Sequence, residues 1–230
     1  MNQLSLFPEL VPTFIRKKEP DILINYRPDN SVPDCFFPSD NDYDIPLLDI
    51  TKQANYLDIP VTLYGSQSRK KEAGTILFYT DDYRLEPLWK NPDNLFKCNP
   101  ITIGEINFSI YKDFPKALAV YQIYRKRWLS RYYQTRGIRI LVDMNVNQNY
   151  YDLNLLGVPK GWSSYSTRGY SDRMEELEVE INIAEKQAYL NSLLFVVFGG
   201  GKSVRKFCKE RAYKGVMWIQ DYINDKFGYN

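Results

Sequence analysis

The 230-residue chain carries no histidine, three scattered cysteines (Cys35, Cys98 and Cys208) and a formal charge of +2. Without imidazole there is no Ser-His or Cys-His pair and no His-ligated metal, so any chemistry falls to carboxylates, Tyr, Lys, Ser or Cys; an odd, dispersed cysteine set argues against a disulfide framework or a paired-thiolate zinc site. With 44% hydrophobic and 25% charged residues, no apolar run of membrane-spanning length and no signal-peptide pattern, the composition predicts a cytoplasmic protein with one core and no membrane partner.

Taken in order, residues 1–12 read as a tail, 13–50 as a Pro-rich extended arm and 51–230 as a single α/β domain. Within the tail, Gln3-Leu4-Ser5-Leu6-Phe7 resembles the pentapeptide by which bacterial polymerases, mismatch-repair proteins and some phage or plasmid replication proteins hold the DNA polymerase sliding clamp. The resemblance implies a Gln amide available for two hydrogen bonds, with Leu6 and Phe7 entering a preformed apolar pocket. Pro8 and Pro12 follow, residues that continue neither a helix nor a central strand. The alternative is that Leu4, Leu6 and Phe7 pack on the chain's own core. Residues 8–50 hold seven prolines alternating with Asp and Asn clusters, and Ile22, Leu23, Ile24, Phe36 and Phe37 predict an arm partly wrapped over the domain, a linker with local apolar contacts being the alternative.

Farther along, a short helix is expected in 47–57 and an exposed polar loop in 65–74. Strands follow at 75–80, 101–108, 138–143, within 158–167, and at 193–198, alternating with helices at 83–90, 115–136, from Ser171 to about 190, and 202–227. Such alternation, with a wholly apolar strand such as Leu193–Phe198, predicts a mainly parallel open sheet with flanking helices; a partial β/α barrel is the alternative. The segments TDDYRLEPLWK, YQIYRKRWLSRYYQTRGIRI and GVPKGWSSYSTRG resemble an uncharacterised domain family of phages, plasmids and other mobile elements, across roughly residues 45–205. That resemblance implies a mobile-element setting and no particular chemistry.

Ligands of an open parallel sheet bind beyond the carboxyl ends of its strands. That rule selects Asp81 and Asp82, Asp143, the group Ser163, Ser164, Thr167 and Arg168, and the turn Gly199-Gly200-Gly201-Lys202-Ser203. The glycine turn before a helix suits a phosphate, although its spacing is not that of a nucleotide P-loop, and a tight turn with no ligand is the competing reading. Asp81, Asp82 and Asp143 are candidates for a divalent cation, or for helix capping and solvation.

Charge is segregated: 114–142 contains no Asp or Glu among its many bases, Lys202–Lys214 is basic, and an acidic run from Asp172 to Glu185 lies between them. On the long helix, Ala117, Val120, Tyr121, Tyr124 and Trp128 are expected to face the core, leaving Arg125, Arg127 and Arg131 for DNA phosphates and Tyr132 or Tyr133 for base stacking. Three functions compete on these grounds. The first is a mobile-element DNA replication or maintenance protein that binds the host clamp through its tail and DNA through basic helices. The second is a strand-cleaving replication initiator with Tyr132 or Tyr133 as nucleophile and a metal on the aspartates; the third is an inhibitor of the host clamp.

Overall fold

A computed structural model describes residues 37–65 and 74–227. Seven parallel strands form one sheet in the order in which the chain makes them: β1 (Val61–Leu63), β2 (Gly74–Leu77), β3 (Pro100–Gly104), β4 (Arg139–Asp143), β5 (Ser164–Arg168), β6 (Leu194–Phe198) and β7 (Val216–Trp218). Because the order never reverses, successive crossovers pack on the same side and the sheet curls into a half-barrel flanked by helices. The helices are α1 (Glu86–Lys90), α2 (Lys116–Thr135), α3 (Tyr151–Asn154), α4 (Met174–Ala188), α5 (Gly201–Glu210) and α6 (Ile219–Phe227).

The alternation of side chains along each strand divides the molecule. Ile76, Phe78, Ile103, Ile140, Val142, Tyr165, Phe195 and Val197 point outward and join Trp128, Leu129 and Tyr133 of α2, Leu177 and Ile181 of α4, and Val204 of α5 in the main core. The opposite set, Leu77, Tyr79, Leu141, Leu194 and Val196, packs inward with Ala54, Leu57 and Ile219. The inner face is kept narrow by small residues: a Cβ on Gly104 of β3 would lie 3.0 Å from Leu77 Cδ2 and 3.2 Å from Ser166 Oγ on β5. A side chain two strands away comes that close only because the sheet is curled.

Residues 37–50, assigned to the arm by sequence, lie against the domain. Ile45 is fully buried, Leu48 N–H donates to Gly157 O at 2.9 Å, and Asp49 exchanges two hydrogen bonds with the Gln134 side chain. Residues 13–36 of the arm, and the loop residues 66–73, lie outside the described residues.

Three expected elements differ. The short helix expected in 47–57 is only a 3-10 turn over Ile50–Lys52. The helix expected over 202–227 is instead α5, a turn, β7 and α6; Gly215 breaks it with φ +85, where a Cβ would stand 1.9 Å from Leu193 O. Ser171 does not cap α4, whose N-cap is Arg173 without a side-chain capping bond. The strand β1, three residues long, carries too few positions for its alternation to register in the sequence.

Candidate functional site

The carboxyl ends of β2 to β5 open into a cleft of about 1040 Å³ lined by Tyr79, Asp82, Asn107, Ser109, Asn145 and Arg168, with Glu180 of α4 at its wall. Asp82 is fixed there by accepting from Ser109 N–H at 3.1 Å and Ser109 Oγ at 2.9 Å. That pair ties the loop after β2 to the loop after β3.

Beneath the cleft lies a buried polar cluster. Asp143, at the end of β4, is fully shielded; its Oδ1 accepts from the Tyr79 hydroxyl at 3.2 Å and from Asn145 N–H at 3.2 Å, and Lys126 Nζ stands 3.7 Å from Oδ2. Lys126 Nζ also donates to Asp143 O at 3.1 Å, a carbonyl that accepts from Asn154 Nδ2 at 2.9 Å as well. Glu105, one residue past β3, accepts from Asp143 N–H at 3.1 Å through Oε2 and ion-pairs with Arg127 through Oε1. Arg127 completes its donors on Leu156 O and Asn154 O. Burial pushes the Asp143 carboxyl up to about 6 against the attraction of Lys126, and lowers the Lys126 ammonium. The Glu180 carboxyl is raised well above the usual range, first by burial; the Tyr151 hydroxyl lies 3.4 Å from it.

This geometry corrects the reading of the long helix. Arg125 and Arg127 do not face solvent: they are 5% and 0% exposed. Arg125 reaches Glu86 at 2.7 Å with its guanidinium over the Phe108 ring, and Arg127 is in the cluster just described. From Gln122 onward α2 is buried on most of its circumference, so bases that resemble a solvent face are internal partners for Glu86, Glu105 and Asp143. Ala117 and Tyr121, expected in the core, are exposed. Arg131 is half-buried and lies over Phe37.

Tyr132 and Tyr133 are 1% and 0% exposed. Their hydroxyls donate to Asp93 Oδ1 at 2.5 Å and Pro92 O at 3.2 Å, so neither ring offers a nucleophile or a base-stacking surface. Asp81, Asp82 and Asp143 do not converge on a cation site: among the described residues no three Asp, Glu, Cys or His side chains gather to hold a metal. Ser163 and Ser164 lie at the amino end of β5, bonded to Gln53 Oε1 and Ile140 O, away from the cleft; Thr167 is buried, and Arg168 alone of that group lines it.

The glycine turn is built as expected, with φ +79, +81 and +69 at Gly199, Gly200 and Gly201. Gly200 is the N-cap of α5, and Gly199 O accepts from Trp218 Nε1 at 2.8 Å. The turn rests against Gly169, next to Arg168, and Lys202 and Ser203 begin an exposed face that Arg205, Lys206 and Lys209 continue. Residues Gln3 to Phe7 lie outside the described residues. Glu105, Lys126, Asn107 and Glu180 were not singled out by sequence; the signal available was a lone carboxylate, Glu105, inside an apolar strand run.

Fold and cleft together define a singly wound parallel α/β half-barrel with a polar, mixed-charge site at the carboxyl ends of its strands. Residues 37–193 match the family model described as a domain of unknown function, DUF4417, and the chain belongs to that family. It is 30% identical over 132 residues to the "Gene 1 protein" of Mycobacterium phage D29, covering 54% of this chain and 48% of that protein. It is 33% identical over 73 residues to the "Gene 1 protein" of Mycobacterium phage L5, covering 31% of this chain and 32% of that one. The chain thus spans about half or less of the length of these phage relatives. No solved structure matches it. Among the described residues no helix is long and apolar enough to cross a membrane.

Proposed function

We propose that the protein is a mobile-element DNA replication or maintenance factor, recruited to the host sliding clamp by Gln3-Leu4-Ser5-Leu6-Phe7 and touching DNA with the basic face of α5. The observation that carries this reading is the placement of that pentapeptide ahead of the family-matched domain, which begins at residue 37. The intervening 8–36 segment can span up to about 100 Å if extended, at ~3.4 Å per residue. Attachment through the pentapeptide raises the local concentration of the domain at the replication fork, so its own DNA affinity can be weak.

With Arg125 and Arg127 internal, the nucleic-acid contact falls to Lys202, with Lys206 and Lys209 loosely paired to Glu210 at 3.9 Å and Asp221 at 3.8 Å and Arg205 more closely paired to Asp221 at 2.7 Å. Gly199, Gly200, Gly201, Lys202 and Ser203 would receive one backbone phosphate at the start of that helix. The relatives' phage origin supports the setting.

The test is calorimetry of the full chain against purified bacterial clamp, in the wild type and with Gln3, Leu6 and Phe7 changed to Ala. Binding lost in the triple variant supports the reading, and a wild type that gives no heat of association overturns it.

A further inference from the structure

The cleft is lined by a side chain with one buried, unpartnered amide oxygen. Asn107 lines the cleft, is 7% exposed, and its Oδ1 has no hydrogen-bond partner among the described residues. Leaving such a group unsatisfied is destabilising, and a side chain kept at that cost points to a ligand that supplies the missing partner. Glu180, 6% exposed, lines the same cleft. Burial pushes its carboxyl toward the protonated form, in which it donates as well as accepts.

The flanks of the cleft differ in charge. On the β5 side, Arg168 and Arg173 are both exposed, with guanidinium carbons 5.3 and 4.6 Å from the centre of the Tyr170 ring. Neither forms an ion pair among the described residues. On the β2 and β3 side stand Asp81, Asp82 and Asp113 against Lys112, so that flank is acidic on balance, whereas the two arginines face Glu176 on theirs. A ligand that satisfies both flanks carries an anion at one end and hydroxyl or amino donors at the other. The volume, about 1040 Å³, exceeds what inorganic phosphate needs and suits a small organic molecule. The acidic flank would repel a continuous polyanionic strand.

We infer that this cleft is a binding site for a nucleoside monophosphate, its phosphate held by Arg168 and Arg173, its base against Tyr170 and its donors met by Asn107, Glu180 and Asp82. Fork-type guanidinium pairing suits a terminal phosphate dianion, and an aromatic face beside it suits a base. This assignment stands apart from the clamp reading, because none of its residues belongs to the tail or to α5.

The experiment is calorimetry of the full chain with the common ribo- and deoxyribonucleoside monophosphates, ribose 5-phosphate, inorganic phosphate and a single-stranded oligonucleotide. At least one nucleoside monophosphate should bind more tightly than ribose 5-phosphate or phosphate. The Arg168→Ala, Arg173→Ala double variant should weaken it at least about tenfold, equivalent to ~1.4 kcal/mol. Asn107→Leu should also lose affinity while its melting temperature holds or rises, since an orphaned polar group is replaced by an apolar one of similar size. The assignment is overturned if no nucleoside monophosphate binds, if the double arginine variant binds it unchanged, or if only the oligonucleotide binds.

Discussion

Arg127 and Glu105 form an ion pair in which both side chains are wholly removed from water. The pair is anchored on both sides, by Leu156 O and Asn154 O on the guanidinium and by Asp143 N–H on the carboxylate. It therefore joins α2, the end of β3, the end of β4 and the α3 segment in one hydrogen-bonded unit directly under the cleft.

Removing one member leaves the other charge buried and unpaired, which typically costs ~3–5 kcal/mol. Arg127→Ala and Glu105→Ala should each lower the free energy of unfolding in urea by that order. Lys202→Glu and Lys206→Glu, on the exposed face of α5, should stay within about 0.5 kcal/mol of the wild type. Equilibrium unfolding of the four variants checks the contrast.

A pH dependence follows from Asp143. Its folded value, about 6, lies above the ordinary 3.8, so between those limits the native chain keeps a proton that the unfolded chain has released. This group's contribution to stability is full at the acid end and is lost as pH rises through the window. Asp143→Asn, permanently neutral, should gain on the wild type from about pH 4 to pH 6 in urea unfolding. A constant difference between the two across that range would contradict the assignment.

The glycine turn offers a graded test. A Cβ at Gly200, φ +81, would lie 2.3 Å from Val204 Cγ2, whereas one at Gly201, φ +69, meets nothing within 4 Å. Both Ala substitutions incur left-handed backbone strain of ~1–2 kcal/mol, but only Gly200→Ala adds a core clash. Thermal melting should place Gly200→Ala well below Gly201→Ala.

Tyr132→Phe removes a hydroxyl that donates to Asp93 and leaves the ring in the core. The expected loss is ~1 kcal/mol of stability, the usual net worth of one hydrogen bond. Any DNA affinity of the native chain should survive the change, which a binding isotherm at fixed salt will show.

The parallel α/β class was legible because periodic apolar strands and intervening helices are long-range features of the sequence; five of the seven strands announce themselves that way. The other two, β1 and β7, are three residues each, and Val216-Met217-Trp218 blends into a helix-forming stretch unless Gly215 is read as a break. The site was less legible. Asp82, Asp143 and Arg168 were selected because strand ends are predictable from strand positions. Arg125 and Arg127 were misplaced because a run of bases on a helix normally faces solvent, and nothing local reveals that Glu86 and Glu105 will meet them in the interior. Asn107 and Glu180 acquire meaning only from burial, which depends on the curl of the sheet.

The strictly sequential order of the strands has a further consequence. Each strand pairs with the one made just before it, so the barrel wall is extended by adding units at one margin and no earlier unit is re-routed. The family-matched segment ends at residue 193, immediately before β6, whereas β6, α5, β7 and α6 continue the same wall. The cleft at the ends of β2 to β5 thus falls within the family-matched segment, while the glycine turn and its cationic face fall beyond it, on units that share the same core through Phe195, Val197 and Val204.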